Sequence, residues 1–95
     1  EIESVLIGHP EVIDVAVFGI PDEDWGEQVK AVIELRGSTQ AVPEDQLLGW
    51  AQERLAKYKC PRSIDFVEEL PRDPNGKLKK RLLRDPYWEG RERQI

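Results

Sequence analysis

Between Val12 and Arg36 the chain reads VIDVAVFGIPDEDWGEQVKAVIELR, and this stretch decides the fold. Its first part is β-branched and aromatic (Val12, Ile13, Val15, Val17, Phe18, Ile20) and stops at Pro21-Asp22, the pattern of a strand with much of both faces buried. In its last part Val29, Ala31, Ile33 and Leu35 alternate with Lys30, Glu34 and Arg36. A second strand with one core face and one mostly wet face is expected there, Val32 being the exception. The two strands should pair antiparallel across PDEDWGEQ, a connection longer than a tight hairpin.

Outward from this pair, Ile2, Val5, Leu6 and His9 recur at helical spacing up to Pro10, giving a short first helix. Downstream, Pro43 opens a second helix with Glu44 and Asp45 in its first turn, where acids suit the helix dipole. Leu47, Ala51, Leu55 and Tyr58 stripe one side, and the helix stops before KYKCP because Pro61 disfavours helical geometry at Cys60. A third strand is expected over Ser63 to Glu69, with Ile64 and Phe66 on one face and Asp65 and Glu68 on the other. PRDPNG then forms a rigid loop and LKKRLLR a short helix with Leu78, Leu82 and Leu83 inward. The order of elements predicts an α+β domain, a small antiparallel sheet of about three strands covered by helices.

Ninety-five residues, 39% hydrophobic and 35% charged, suit one small domain with a modest core. One cysteine, Cys60, excludes an internal disulfide framework, and one histidine, His9, leaves no Cys/His set for zinc. No apolar run is long enough to span a membrane and no leader is present, so a reducing, cytoplasmic location is expected. The chain lacks methionine and begins already in helical register, which reads as a domain cut from a longer protein. Charge is unevenly spread: residues 1–48 hold eleven acids and two bases, residues 71–84 six bases and one acid.

That basic segment opens at LPRDPNGK. Pro71 and Pro74 restrict the backbone and Asn75-Gly76 readily takes positive φ, so the loop can turn sharply and still be stiff. A stiff loop loses less entropy in holding Lys77 in one place, and an ammonium with three donors can bridge a carboxylate and a phosphate oxygen. Spacing alone leaves Lys77 open between this role and that of a loop-end surface lysine, and favours the second. The Gly-Lys pair is no phosphate-binding P-loop, since the earlier glycine and the following Ser/Thr are missing. A nucleic-acid patch over Lys77, Lys79, Lys80, Arg81 and Arg84 has no aromatic platform beside it. Asp22, Glu23, Asp24 and Glu27 do not have EF-hand spacing, and no metal site is expected. Cys60 reads as a packed residue and His9 as a structural one.

Three segments in order, EIESVLIGHPEVIDVAVFGIPDEDWGEQVKAVI, RLAKYKCPRSIDFVEELP and DPNGKLKKRLLR, resemble the C-terminal domain of the AMP-forming acyl-CoA synthetases, within the adenylate-forming superfamily. The resemblance covers residues 1 to about 84, leaving 85–95 as a tail whose Tyr87 and Trp88 would cover apolar surface on this domain or on a large N-terminal one. It implies a mobile α+β lid joined to that larger domain, which would hold most of the ATP/AMP, Mg2+, CoA and carboxylic acid contacts. The implied reaction has two steps, formation of acyl-AMP and then, after the lid rotates, of the CoA thioester. Lys77 matches the family's catalytic lysine for the first step, a role whose charge acetylation would remove. Glu1 and Glu3 match the end of the hinge-side motif. Gly76, Gly26, Glu27, Tyr58 and Lys59 are further candidates for nucleotide, CoA or interdomain contacts, with Gly26 as a plain turn and Tyr58 as a packing residue left open. An isolated lid should be inactive. The rivals are the lid of a nonribosomal adenylation domain, which delivers to a carrier protein, and a non-enzymatic binding module docking through its basic face.

Overall fold

A computed structural model describes residues 2–24 and 26–89. The expectations placed on Glu1 and on residues 90–95 of the tail lie outside the described residues. The elements run α1 (Ile2–Ile7), β1 (Val12–Asp22), β2 (Gly26–Leu35), α2 (Glu44–Gln52), a single 3-10 turn (Lys57–Lys59), β3 (Ser63–Val67) and α3 (Lys80–Trp88).

The α+β class and the three strands are as the sequence predicts, and the sheet order is β1-β2-β3. β1 and β2 pair antiparallel from Val12↔Leu35 to Asp22↔Gly26. Their connection is much shorter than expected, because Pro21 and Asp22 pair with Glu27 and Gly26 and extend the ladder through most of PDEDWGEQ. Gly26 opens β2 at φ 81°, a left-handed backbone that favours glycine. Pro21 is tolerated because β1 is an edge strand.

β3 corrects the antiparallel expectation. It runs parallel to β2, from Lys30↔Ser63 to Glu34↔Val67, so the sheet is mixed. The reason is the connection: the segment through α2 carries the chain from the end of β2 back to its beginning, and a strand that follows such a crossover must run in the same direction.

The sheet is covered on both faces. On one, α1 and α2 bury Leu6, Leu47 and Ala51 against Val15, Ala31, Ile33 and Ile64. On the other, Leu83 and Tyr87 of α3, with Leu70 and Leu78, pack on Ala16, Phe18, Ile20 and Val32. The second face of β2 is therefore not wet: Lys30 is only 7% exposed. Its ammonium lies 3.0 Å from Asp65 of β3 and over the Tyr87 ring, while the Tyr87 hydroxyl donates to the same Asp65 carboxylate. The Trp88 indole N–H donates to the Gly19 carbonyl at 2.8 Å and ties the far end of α3 to β1.

Two packing expectations fail for a shared reason, the phase of a helix. α2 ends at Gln52, and in the turn that follows the Ala51 carbonyl accepts the N–H groups of Arg54 at 3.0 Å and Leu55 at 2.8 Å, which keeps Leu55 inward. Tyr58, expected in the same stripe, is instead 81% exposed on the 3-10 turn. α3 begins at Lys80 rather than near Leu78 and continues past Arg84, so Leu83 and Tyr87, four apart, face the sheet and Leu82 is 62% exposed. Pro86 is accommodated within the last turn, where the aromatic contacts of Tyr87 and Trp88 offset its missing N–H.

Both sheet edges end in acids. The Glu3 carboxylate accepts the Val17 N–H of β1 at 2.9 Å, and the Glu44 carboxylate accepts the Ile64 N–H of β3 at 2.8 Å.

Candidate active-site loop

Between β3 and α3 the chain makes a closed loop from Pro71 to Lys79. At its base Arg72 and Leu78 form an antiparallel bridge, and the Lys79 N–H donates to the Pro71 carbonyl at 2.8 Å. Inside it Asp73 organises the turn. Its carboxylate accepts the N–H groups of Asn75 and Lys77, both at 2.9 Å, its carbonyl accepts the Gly76 N–H, and its own N–H donates to the Lys77 carbonyl. Gly76 sits at φ 86°, where a side chain would strain the backbone.

Arg72 ties this loop to the sheet. One guanidinium nitrogen donates to the Gly76 carbonyl at 2.6 Å, while the other two donate at 2.7 Å each to the two carboxylate oxygens of Asp14 on β1. Lys77 follows at once, exposed, and no ion pair engages it among the described residues. The arrangement is a cation held out on a braced backbone.

The local fields are set by these pairs. The hydrogen bond from Arg72 holds the Asp14 carboxyl below its ordinary 3.8 despite partial burial, and Asp14 in turn raises Arg72. For Asp65, burial pushes the carboxyl up, but the hydrogen bonds from Tyr87 and Lys30 and the Lys30 charge outweigh it, so it too is lowered. Burial and then the Asp65 bond push the Tyr87 hydroxyl up to about 12. The stability Asp14 and Asp65 contribute is thus complete above 3.8 and lost as pH falls through their lowered folded values, whereas the Tyr87 contribution is complete below 10.0 and lost as pH rises through about 12. Urea midpoints measured against pH should hold level between about 5 and 9 and fall outside that window, with Tyr87→Phe blunting the alkaline fall. A midpoint still rising below about pH 4 would contradict the assignment.

The other candidates do not gather at this loop. Glu27 and Tyr58 line an open groove with Gln28, Lys57, Cys60 and Arg62, beside the Gly26 turn. Lys59 lines a separate hollow with Ile2, Glu3, Val17 and Lys80, its ammonium 5.9 Å from the Tyr58 ring centre. The groove and the loop stand at opposite ends of the sheet, since Gln28 pairs with Ile20 at one end and Glu34 with Asp14 at the other. Six residues of strand separate them, roughly 20 Å. His9 and Cys60 are buried: the His9 Nδ1 accepts the Glu11 N–H, and the Cys60 thiol points at the Leu55 and Ala56 carbonyls. Among the described residues no group of three or more His, Cys, Asp or Glu could hold a metal, and no helix is long and apolar enough to cross a membrane.

Sequence reasoning missed Arg72, Asp73 and Asp14. Asp73 could have been found, since an acid two residues before Asn75 and four before Lys77 is placed for a turn that its own side chain closes.

Residues 1–77 match the family model of the AMP-binding enzyme C-terminal domain, a match that ends on Lys77. The chain belongs to that family. This AMP-binding enzyme C-terminal domain is 46% identical over 87 residues to the long-chain-fatty-acid–CoA ligase FadD13 of Mycobacterium tuberculosis, covering 92% of the chain and 17% of the relative. It is 41% identical over 95 residues to the fatty acid–[acyl-carrier-protein] ligase ScoC of Streptomyces coeruleorubidus, covering 100% of the chain and 18% of that relative. A solved Mycobacterium tuberculosis fatty acyl CoA synthetase superposes with a TM-score of 0.83 at 46% identity, over 92% of the chain and 17% of that structure. The AMP-binding enzyme C-terminal domain thus spans less than a fifth of the length of these relatives.

Proposed function

We propose that this domain is the lid of an AMP-forming acid–CoA ligase and that Lys77 is its catalytic residue for the adenylation step. The observation that carries this reading is the exposed Lys77 ammonium at the end of a loop braced by Asp73 and Arg72. A larger domain of the same chain supplies the pockets for ATP, magnesium and the carboxylic acid, and the described residues here offer no metal cluster to compete for that task. Lys77 reaches into that site, aligns the carboxylate with the α-phosphate, and offsets the negative charge that grows on the phosphate oxygens as the bond to pyrophosphate breaks. This is positioning and electrostatics, with no proton transferred.

For the second step the lid turns as a rigid body, withdraws Lys77 and brings its other end to the reacting centre. The separation of the Lys77 loop from the groove of Glu27, Tyr58, Lys57 and Arg62 supports this, because one rotation can exchange two ends of a rigid sheet. Lys57, Arg62 and the Tyr58 ring suit the phosphates and base of CoA. The test measures the two half-reactions apart on the parent enzyme. Removing charge at Lys57 and Arg62 together should raise the KM for CoA and leave acyl-AMP formation unchanged; an unchanged KM would count against this end of the reading.

A second reading keeps the adenylation and replaces CoA by a carrier protein, favoured by the similarity to a fatty acid–[acyl-carrier-protein] ligase. Offering the acyl-AMP enzyme either free CoA or a phosphopantetheinylated carrier decides between them by which thioester forms.

A further inference from the structure

Arg72 is a polar link between the loop that presents Lys77 and the sheet, its side chain meeting both. Three of its nitrogens are committed, one to the Gly76 carbonyl and two to the Asp14 carboxylate. Asp14 is itself fixed: its carboxylate accepts the Val15 N–H at 2.9 Å, its backbone lies in the β1–β2 ladder opposite Glu34, and its side chain is 18% exposed. The β1–β2 register shifts between Val12 and Asp14, an irregularity of the kind that re-aims a side chain.

We infer that Arg72 and Asp14 are positioning residues for adenylation: the bidentate pair holds the Gly76 carbonyl, and through it the next residue, Lys77, at one place relative to the sheet. This rests on the reading of Lys77 as the adenylation lysine. The geometry singles out Arg72 because an ammonium could not replace it. A guanidinium offers a planar fork that fills two carboxylate oxygens on one edge and still donates from another nitrogen, whereas a lysine is a point donor on a flexible stem. The Asp14 carboxylate is fully engaged by Arg72, both of its oxygens accepting from the guanidinium, so it has a cation already.

The pair is not merely part of the hydrophobic fold. Arg72 is exposed and outside both apolar clusters, so its loss should disturb the loop far more than the core. Misplacing a reacting group by about 1 Å can cost about 100-fold in rate.

The experiment uses the full-length parent enzyme with Arg72→Ala, Arg72→Lys, Asp14→Asn, the double variant Asp14→Asn/Arg72→Lys, and Lys77→Ala alongside. Acyl-AMP formation is followed by pyrophosphate release and thioester formation from supplied acyl-AMP separately, with thermal unfolding recorded for each. The expected result is a fall in kcat for acyl-AMP formation of about 10- to 100-fold in each single variant at Arg72 or Asp14, with thioester formation little changed and the unfolding midpoint lowered by no more than the loss of one partly exposed ion pair. The double variant should be no slower than the slower single, because the two residues act as one unit. Ethylguanidinium in the buffer should restore several-fold of the lost rate to Arg72→Ala and nothing to Lys77→Ala. Parallel loss of both half-reactions together with the unfolding midpoint would reduce the pair to a structural ion pair and overturn the inference. So would normal acyl-AMP formation in the Arg72 and Asp14 variants while Lys77→Ala is slow. Normal acyl-AMP formation in Lys77→Ala would sink the role of Lys77 and the brace with it.

Discussion

Lys77→Ala in the parent enzyme should slow acyl-AMP formation by about 100- to 1,000-fold, the loss seen when one preorganised charge or donor is taken from a developing oxyanion. Thioester formation from supplied acyl-AMP should change less than about threefold, because the proposed rotation would carry Lys77 away from the reacting centre. The asymmetry matters more than the size. Lys77 is exposed and outside both apolar clusters, so its truncation leaves no cavity and no unpaired partner, and a folding defect cannot imitate the split. Lys77→Arg should stay slow, since a guanidinium on a longer stem reaches a different point with a different donor geometry. Pyrophosphate release and thioester formation, assayed separately, check both variants; equal loss in the two half-reactions would remove the role from Lys77.

The largest effect on stability should come from a residue no functional argument selects. Asp65→Ala removes the partner of Lys30, which is 7% exposed, and leaves its ammonium and the Tyr87 hydroxyl without their shared acceptor. Breaking a fully enclosed ion pair in this way costs about 3–5 kcal/mol. The Asp65 side chain is 45% exposed, and water entering on that side lowers the expectation to about 2–3 kcal/mol. Lys30→Met should be close to neutral, because it removes the buried charge itself and keeps a long apolar stem against Tyr87. Urea unfolding of the domain decides: Lys30→Met as damaging as Asp65→Ala would show that the pair contributes net stability and not only mutual compensation.

The contrast between these residues explains what could be read from the sequence. The first two strands were legible because alternation is local, and Val15 or Ile33 announce their face with no help from elsewhere. The direction of β3 was not, since Ser63–Val67 pairs equally well either way in pattern and only the crossover through α2 imposes the parallel choice. Lys30 read as a wet position because a period of two cannot report that α3, some fifty residues later, lies over that face. In the loop, the prolines and Asn75-Gly76 gave the stiff turn, and the family resemblance gave Lys77 its proposed role. The brace was beyond both, as Arg72 and Asp14 are 58 residues apart and nothing near either one marks the other.

The acids at the sheet edges bear on the whole chain. An edge strand exposes unpaired N–H groups that a second sheet can adopt, and β1, with its run of β-branched and aromatic residues, would be an inviting template. Glu3 and Glu44 occupy one such N–H on each edge, the Glu3 carboxylate being paired in turn with the Lys80 ammonium at 3.3 Å. Part of the acidity of residues 1–48 is thus spent at the sheet margins, where a covered N–H is one fewer point at which another sheet can pair.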